Sequence, residues 1–290
     1  MQAELTRALE ELFGPSTQIK STDAVGGGCI NQAQVLRLSN GERIFLKSNQ
    51  QAPLHFFEAE ARGLRLLASA DNGPLIPRPL IQPRPDTRFL LLEYIEETRP
   101  GPAYSRQFGE ALAALHRVTQ AQHGLDHNNF IGLTRQINTL ESDGVIFFRE
   151  HRLRFQQELA RERNLLPSAV DQKLDRLLDK LEILMDLKGE PPALLHGDLW
   201  SGNHFSSGNS QACLFDPAVY YGYREADIAM TRLFGALSES TYSAYQSAFP
   251  LTAGWQERTE LFNLYHLLNH LNLFGESYLG SVRQIINRYI

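Results

Sequence analysis

Two aspartates and an asparagine carry the chemistry that this sequence can offer. Asp198 lies in His196-Gly197-Asp198-Leu199-Trp200-Ser201-Gly202-Asn203, and Asp216 follows in Phe215-Asp216-Pro217. An Asp, an Asn five positions on and a second Asp after a short hairpin form the donor set for phosphoryl transfer to a hydroxyl. Asp198 would accept the hydroxyl proton, while Asn203 and Asp216 would hold Mg2+ against the phosphates of ATP. Gly197 and Gly202 stand just before the first Asp and the Asn, so the backbone can turn sharply and bring the three side chains together. A Gly-Asp or Asp-Pro pair alone is ordinary turn chemistry. The signal is the combination: the five-residue spacing, the apolar strand before Asp216, and the turn cluster Ser206-Ser207-Gly208-Asn209 between them.

A nucleotide needs a second set of groups, and the first hundred residues offer one. Gly26-Gly27-Gly28, between two extended segments, can bring Gly27 and Gly28 N–H groups close to phosphate with no Cβ in the way, and Asn31 follows at the loop exit. A glycine run is equally the mark of a plain hairpin loop. Lys47 ends an apolar strand, where an ammonium can pair the α- and β-phosphates. In the helix that follows, Glu60 or Glu58 can hold that ammonium, and helix geometry alone leaves both open. Phe89-Leu90-Leu91-Leu92-Glu93-Tyr94-Ile95 is an apolar strand whose end, with the Glu93 carbonyl and the N–H near Ile95, could grip adenine.

The elements that must position these groups read as two lobes. An amphipathic helix over residues 1–13 precedes extended segments at 18–25 and 31–38. Asn40-Gly41 is a hairpin signal leading to Ile44-Phe45-Leu46-Lys47. Phe57, Ala61, Leu64 and Leu67 line one face of a helix over 54–70. Pro74 to Pro85 is extended, and the strand 88–95 follows. Arg99-Pro100-Gly101-Pro102 reads as a linker, beyond which helices are expected from Phe108, at about 145–162, at 168–185 and from about 225. The expected fold class is α+β and bilobal: a small antiparallel-sheet lobe, 1–97, and a larger, mainly helical lobe, 98–290, around a cleft.

Composition excludes several other classes. The chain has 290 residues, 42% hydrophobic and 21% charged, which suits a globular core. No run of about 18 apolar residues suggests a membrane span. Met1 to Phe13 carries charges throughout and does not read as a secretory signal, so a cytoplasmic location is expected. A net charge of −5 argues against a nucleic-acid partner. Cys29 and Cys213 cannot form a disulfide framework. His266 and His270 are four apart but lack the further ligands zinc requires, so packing histidines are expected.

The chain resembles the fructosamine kinases (ketosamine 3-kinases), a branch of the aminoglycoside phosphotransferase and protein-kinase-like superfamily. The matching segments are Gly26-Gly27-Gly28-Cys29-Ile30-Asn31, Lys47, Phe57-Glu58-Ala59-Glu60, Leu195 to Asn203, Phe215-Asp216-Pro217-Ala218 and Gly222 to Met230. Leu267-Leu268-Asn269-His270 and Leu273-Phe274-Gly275 extend the likeness almost end to end. Trp200 after His-Gly-Asp-Leu, with Arg224-Glu225-Ala226-Asp227 downstream, is more specific than the Asp–Asn–Asp set alone. The resemblance implies a protein-kinase-like fold and ATP-dependent phosphorylation of the 3-hydroxyl of a ketosamine, on a glycated small amine or protein. The labile product then sheds its sugar. It implies Glu60 rather than Glu58 as the partner of Lys47. Trp200 and Arg224 become candidates for substrate contact, although core packing of Trp200 and an ion pair of Arg224 with Glu225 or Asp227 are equal alternatives. Cys29 becomes a candidate redox residue, the chain then being a monomer or a redox-dependent dimer. One departure is Tyr223, where the family often has His, which bears on substrate preference. Rival readings are another small-molecule kinase, with an aminoglycoside- or choline-like acceptor, and a nucleotide-binding pseudokinase.

Overall fold

The computed structural model describes residues 1–26 and 30–290. Gly27, Gly28 and Cys29 lie outside the described residues, and with them the phosphate-loop glycines and the redox candidate expected from sequence. Helix α1 (Gln2–Phe13) buries Leu5 and Leu9. Strands β1 (Ile19–Val25), β2 (Gln32–Leu38) and β3 (Arg43–Ser48) run up and down, then α2 (Phe56–Leu67) crosses to β4 (Phe89–Glu93). The four strands form one antiparallel sheet in the order β1-β2-β3-β4. Alternation along β2 and β3 sends Leu36, Leu38, Ile44 and Leu46 to the face covered by Leu5 and Leu9 of α1. The proline-rich stretch, expected to be extended, forms no strand of its own but pairs with the outer edge of β4: Leu80 N–H donates to Leu91 O and Glu93 N–H to Arg78 O.

Beyond the linker the chain turns helical. Helix α3 (Tyr104–His116) leads to a short hairpin that periodicity did not announce, β5 (Asn129–Ile131) and β6 (Thr134–Gln136). The expected second helix is α4 (Gly144–Phe148) running through a π-helical turn at Arg149–Arg154 into α5 (Phe155–Glu162). The third breaks at Lys180 into α6 (Ser168–Asp179) and α7 (Leu181–Met185). Next come β7 (Ala193–Leu195), the hairpin β8 (His204–Ser207) and β9 (Gln211–Leu214), and β10 (Tyr220–Gly222), which pairs with β7. Helices α8 (Glu225–Leu233), α9 (Glu239–Ala248), α10 (Trp255–Phe274) and α11 (Leu279–Tyr289) complete the chain. No helix among the described residues is long and apolar enough to cross a membrane. Two apolar cores serve the helical part. One joins Phe57 and Leu64 of α2 to Leu112 of α3, Leu199 and Leu214, and so ties the sheet part to the segments bearing Asp198 and Asp216.

Candidate active site

The loop after β7 carries Asp198, and its shape is set by two glycines. Gly197 has φ +81°, and a Cβ there would lie 2.0 Å from the Ala218 carbonyl oxygen. Gly202 packs under the Trp200 indole, where a Cβ would come within 2.3 Å of the ring. Beneath the loop sits Asp227 of α8, 1% exposed, which accepts the His196 and Gly197 N–H groups at 2.7 and 2.9 Å. Burial works against its charge. The hydrogen bond and charge of His116 outweigh that effect, and Asp227 is held below the ordinary aspartate range. Sequence reasoning placed Asp227 only as a possible ion-pair partner. Its role depends on contacts 30 and 31 residues away, with no local signal.

The hairpin β8–β9 brings Asn203 and Asp216 side by side, with Phe215 N–H donating to Asn203 O at 3.1 Å. Asn203 Nδ2 donates to Asp198 O at 2.9 Å and to Asp198 Oδ2 at 3.2 Å. Its Oδ1 takes no donor among the described residues. Asp216 sits in the left-handed region, φ +56°, a strained setting that places its carboxylate between loop and sheet. Its Oδ1 accepts from Lys47 Nζ at 2.5 Å, and Lys47 also donates to Glu60 Oε1 at 2.5 Å. Of the two glutamates weighed, Glu60 reaches the lysine, while Glu58 turns to His55 at 2.7 Å. Burial would strip the proton from Lys47, but Asp216 and Glu60 overcome it and hold the ammonium above its ordinary range. Asp198 moves the other way. Burial, and then the charge of Asp216, push it up to about 7 against the pull of the Asn203 hydrogen bond.

This donor set fits a divalent metal of the kind a triphosphate carries. Asn203 Oδ1 and the Asp216 carboxylate are hard oxygen ligands. No group of three or more His, Cys, Asp or Glu is placed for a metal among the described residues, His266 and His270 included. Two protein oxygens suffice where phosphates supply the rest.

Asn49 Nδ2 donates to Ile30 O at 3.0 Å and to Asn31 Oδ1 at 3.4 Å, which ties the loop exit to the end of β3. At the end of β4, Tyr94 stacks against Arg43, and the Ile95 N–H takes no acceptor among the described residues. In the loop after Asp198, Trp200 meets Phe234 edge-on, centroids 6.4 Å apart. That aromatic wall continues through His270, 4.8 Å from Phe234, to Phe274, half exposed, and Tyr278.

One expectation needs correction, the ion-pair partner of Arg224. Arg224 is 3% exposed, pairs with Glu190 at 2.5 Å, and donates to the Phe249 and Pro250 carbonyls and to Tyr245. Neither Glu225 nor Asp227 is its partner, since Glu225 is taken by Arg258 at 2.6 Å. Tyr223, the departure from the family pattern, packs in the core against His123, centroids 4.8 Å apart, and Phe262.

Comparison with known proteins decides the family. The model of the fructosamine kinase family matches residues 1–290. The chain belongs to the fructosamine kinase family. A relative in Oryza sativa subsp. japonica, the chloroplastic protein-ribulosamine 3-kinase, is 37% identical over 281 residues, 96% of this chain and 81% of its own. A fructosamine-3-kinase-type crystal structure from Thermobifida fusca superposes with a TM-score of 0.87 at 31% identity, covering 98% of this chain and 97% of that one. An ADP-bound aminoglycoside phosphotransferase gives a TM-score of 0.64 at 15% identity, over 99% and 97% of the two chains, a likeness of fold alone. The fold is protein-kinase-like, and the family is one of ATP-dependent phosphotransferases. The aminoglycoside- or choline-type alternative gains nothing from that fold-level match.

Proposed function

We propose that the chain phosphorylates the 3-hydroxyl of a ketosamine, on a glycated small amine or protein, at the expense of ATP, which leads to deglycation. The observation that carries the proposal is the meeting of Lys47, Asp216, Asn203 and Asp198 across the junction of sheet and helices. In this reading Lys47 steadies the α- and β-phosphates and Glu60 keeps its ammonium aimed. Gly27, Gly28 and Asn31 border the phosphates, while the Glu93-Tyr94-Ile95 backbone receives adenine. Asn203 and Asp216 hold Mg2+, which when bound neutralises phosphate charge. Asp198 takes the proton of the sugar hydroxyl, its carboxylate aimed by the Asn203 Nδ2 donor at 3.2 Å. Trp200 forms a wall for the sugar or its amine. Positioning and charge supply most of the acceleration in such transfers. The corresponding lobes are 1–97 for nucleotide and 98–290 for catalysis and acceptor.

The test is ADP formation with a ribulosamine, with an aminoglycoside and with no acceptor. Stimulation by the ribulosamine alone supports the proposal. Stimulation by the aminoglycoside alone, or nucleotide binding without turnover on any acceptor, rejects it.

A further inference from the structure

The hairpin β5–β6 touches α2, α10, Ile30 beside the glycine-rich loop and the segment after Asp216, although none of its residues belongs to the proposed machinery. Its outer side packs on α2, the helix of Glu60, with Phe130 and Phe56 centroids 5.3 Å apart. At its tip, a Cβ built on Gly132 would lie 2.9 Å from Leu273 Cδ1 of α10 and 3.1 Å from Ile30 Cδ1 beside the glycine-rich loop. At its base, Gln136 is 1% exposed and fully engaged. Gln136 Nε2 donates to Ala218 O at 3.0 Å and to Asn129 Oδ1 at 2.8 Å, and its Oε1 accepts from the Tyr265 hydroxyl of α10 at 2.7 Å. Asn129 Nδ2 in turn donates to Val219 O at 2.7 Å.

Ala218 is where these contacts matter. Its N–H donates to His196 O at 2.9 Å, and its carbonyl is the group Gly197 approaches most closely. The peptide held by Gln136 therefore sets the distance between the Asp216 segment and the Asp198 loop. The support below is unusual: Arg152, 0% exposed, lies in the π-helical turn and donates to Asn138 Oδ1 at 2.8 Å and to Ile137 O at 2.5 Å. Its guanidinium stacks 4.0 Å from the Tyr220 ring and makes no ion pair among the described residues. Asn138 Nδ2 passes the contact on to Asn129 Oδ1 at 2.8 Å. A buried cation and three amides are costly to assemble merely to fill space, and here Arg152 Nε is left without a partner among the described residues.

We propose that the β5–β6 hairpin is a bracket for phosphoryl transfer and that Gln136 is its positioning residue, fixing the Ala218 carbonyl on one arm and Tyr265 of α10 on the other. Gln136 touches neither nucleotide nor acceptor. It acts through the spacing of Asp198 and Asp216 and through the seat of α10, whose His270 and Phe274 continue the aromatic wall that begins at Trp200. This rests on the function proposed above, yet it is tested apart from it, because metal–nucleotide binding needs no acceptor.

The experiment uses the full chain with Gln136→Leu and Tyr265→Phe. Thermal unfolding, calorimetric titration of Mg2+ with a non-hydrolysable ATP analogue, and kcat and KM are measured on each. In Gln136→Leu the half-saturating Mg2+ concentration should rise about 5-fold and kcat fall about 10- to 100-fold, as expected when reacting groups shift by a fraction of an ångström. Tyr265→Phe removes one hydroxyl, the donor to Gln136 Oε1, and keeps the ring and the charge. It should leave the Mg2+ titration unchanged and lower kcat about 10-fold. A Gln136→Leu protein that melts early but titrates Mg2+ and turns over like wild type would show a structural role only and overturn the proposal. Should Gln136→Leu not fold, wild-type kcat in Tyr265→Phe would overturn it equally. Wild type idle on every ketosamine would reject the substrate assignment and leave the Mg2+ titration to judge the bracket.

Discussion

Gly197→Ala is a one-methyl perturbation whose consequence follows from the backbone. The added Cβ would lie 2.0 Å from the Ala218 carbonyl oxygen, and contacts below 3.0 Å do not persist. The obstacle is backbone, so no rotamer change relieves it, and the Asp198 loop and the Ala218 segment must separate by about 1 Å, a displacement that costs roughly 100-fold in rate at a positioned site. The φ of +81° adds about 1–2 kcal/mol of strain for any side chain. Gly208→Ala is the control: φ is +48°, and nothing lies within 4 Å of its Cβ. Both variants should lose stability from the shared backbone strain, measured by thermal unfolding. Only Gly197→Ala should lose turnover, measured as ADP formation under saturating substrates. A folded Gly197→Ala with the kcat of Gly208→Ala would refute the claim that the Ala218 contact spaces Asp198 from Asp216.

Three further outcomes are expected. Lys47→Met should reduce kcat/KM for ATP by about 100- to 1000-fold, the usual effect of removing one preorganised charge, in steady-state assays. Arg224→Met should destabilise the fold by about 3–5 kcal/mol in denaturant unfolding, as breaking a buried ion pair does, with KM for the acceptor unchanged. A large rise in that KM would place Arg224 at the substrate side. His266 is buried, and burial lowers its pKa from 6.5 to about 3. The unfolded chain therefore takes up the proton first, so stability falls as pH drops from 6.5 toward 3, by about 1.4 kcal/mol per pH unit for this one group. His266→Leu should flatten that part of the stability–pH curve, and an unchanged slope would show that His266 titrates normally.

The parts of the site legible in the sequence were those set by short-range geometry. Asp198, Asn203 and Asp216 are linked by one tight loop and one hairpin, so spacing and turn residues suffice to bring them together. The sheet was legible for the same reason, through Asn40-Gly41 and the alternation around Ile44. Glu60 and Glu58 are different: both lie on α2, and only the way that helix packs turns Glu60 toward Lys47. The ion-pair partner of Arg224 was missed because Glu190 lies 34 residues away, whereas the acidic neighbours in its own motif serve other groups. The hairpin β5–β6 escaped because three-residue strands carry too few alternations to register. Gln136, Asn129 and Asn138 look like ordinary polar loop residues until their burial is known.

The most direct measurement is the location of the transferred phosphate on a ribulosamine by phosphorus–proton correlated NMR, for wild type and for Asp198→Asn. Wild type should place it on O3, and Asp198→Asn should bind the ATP analogue with wild-type affinity yet transfer nothing. Phosphate on another atom, or full turnover by Asp198→Asn, would contradict the account.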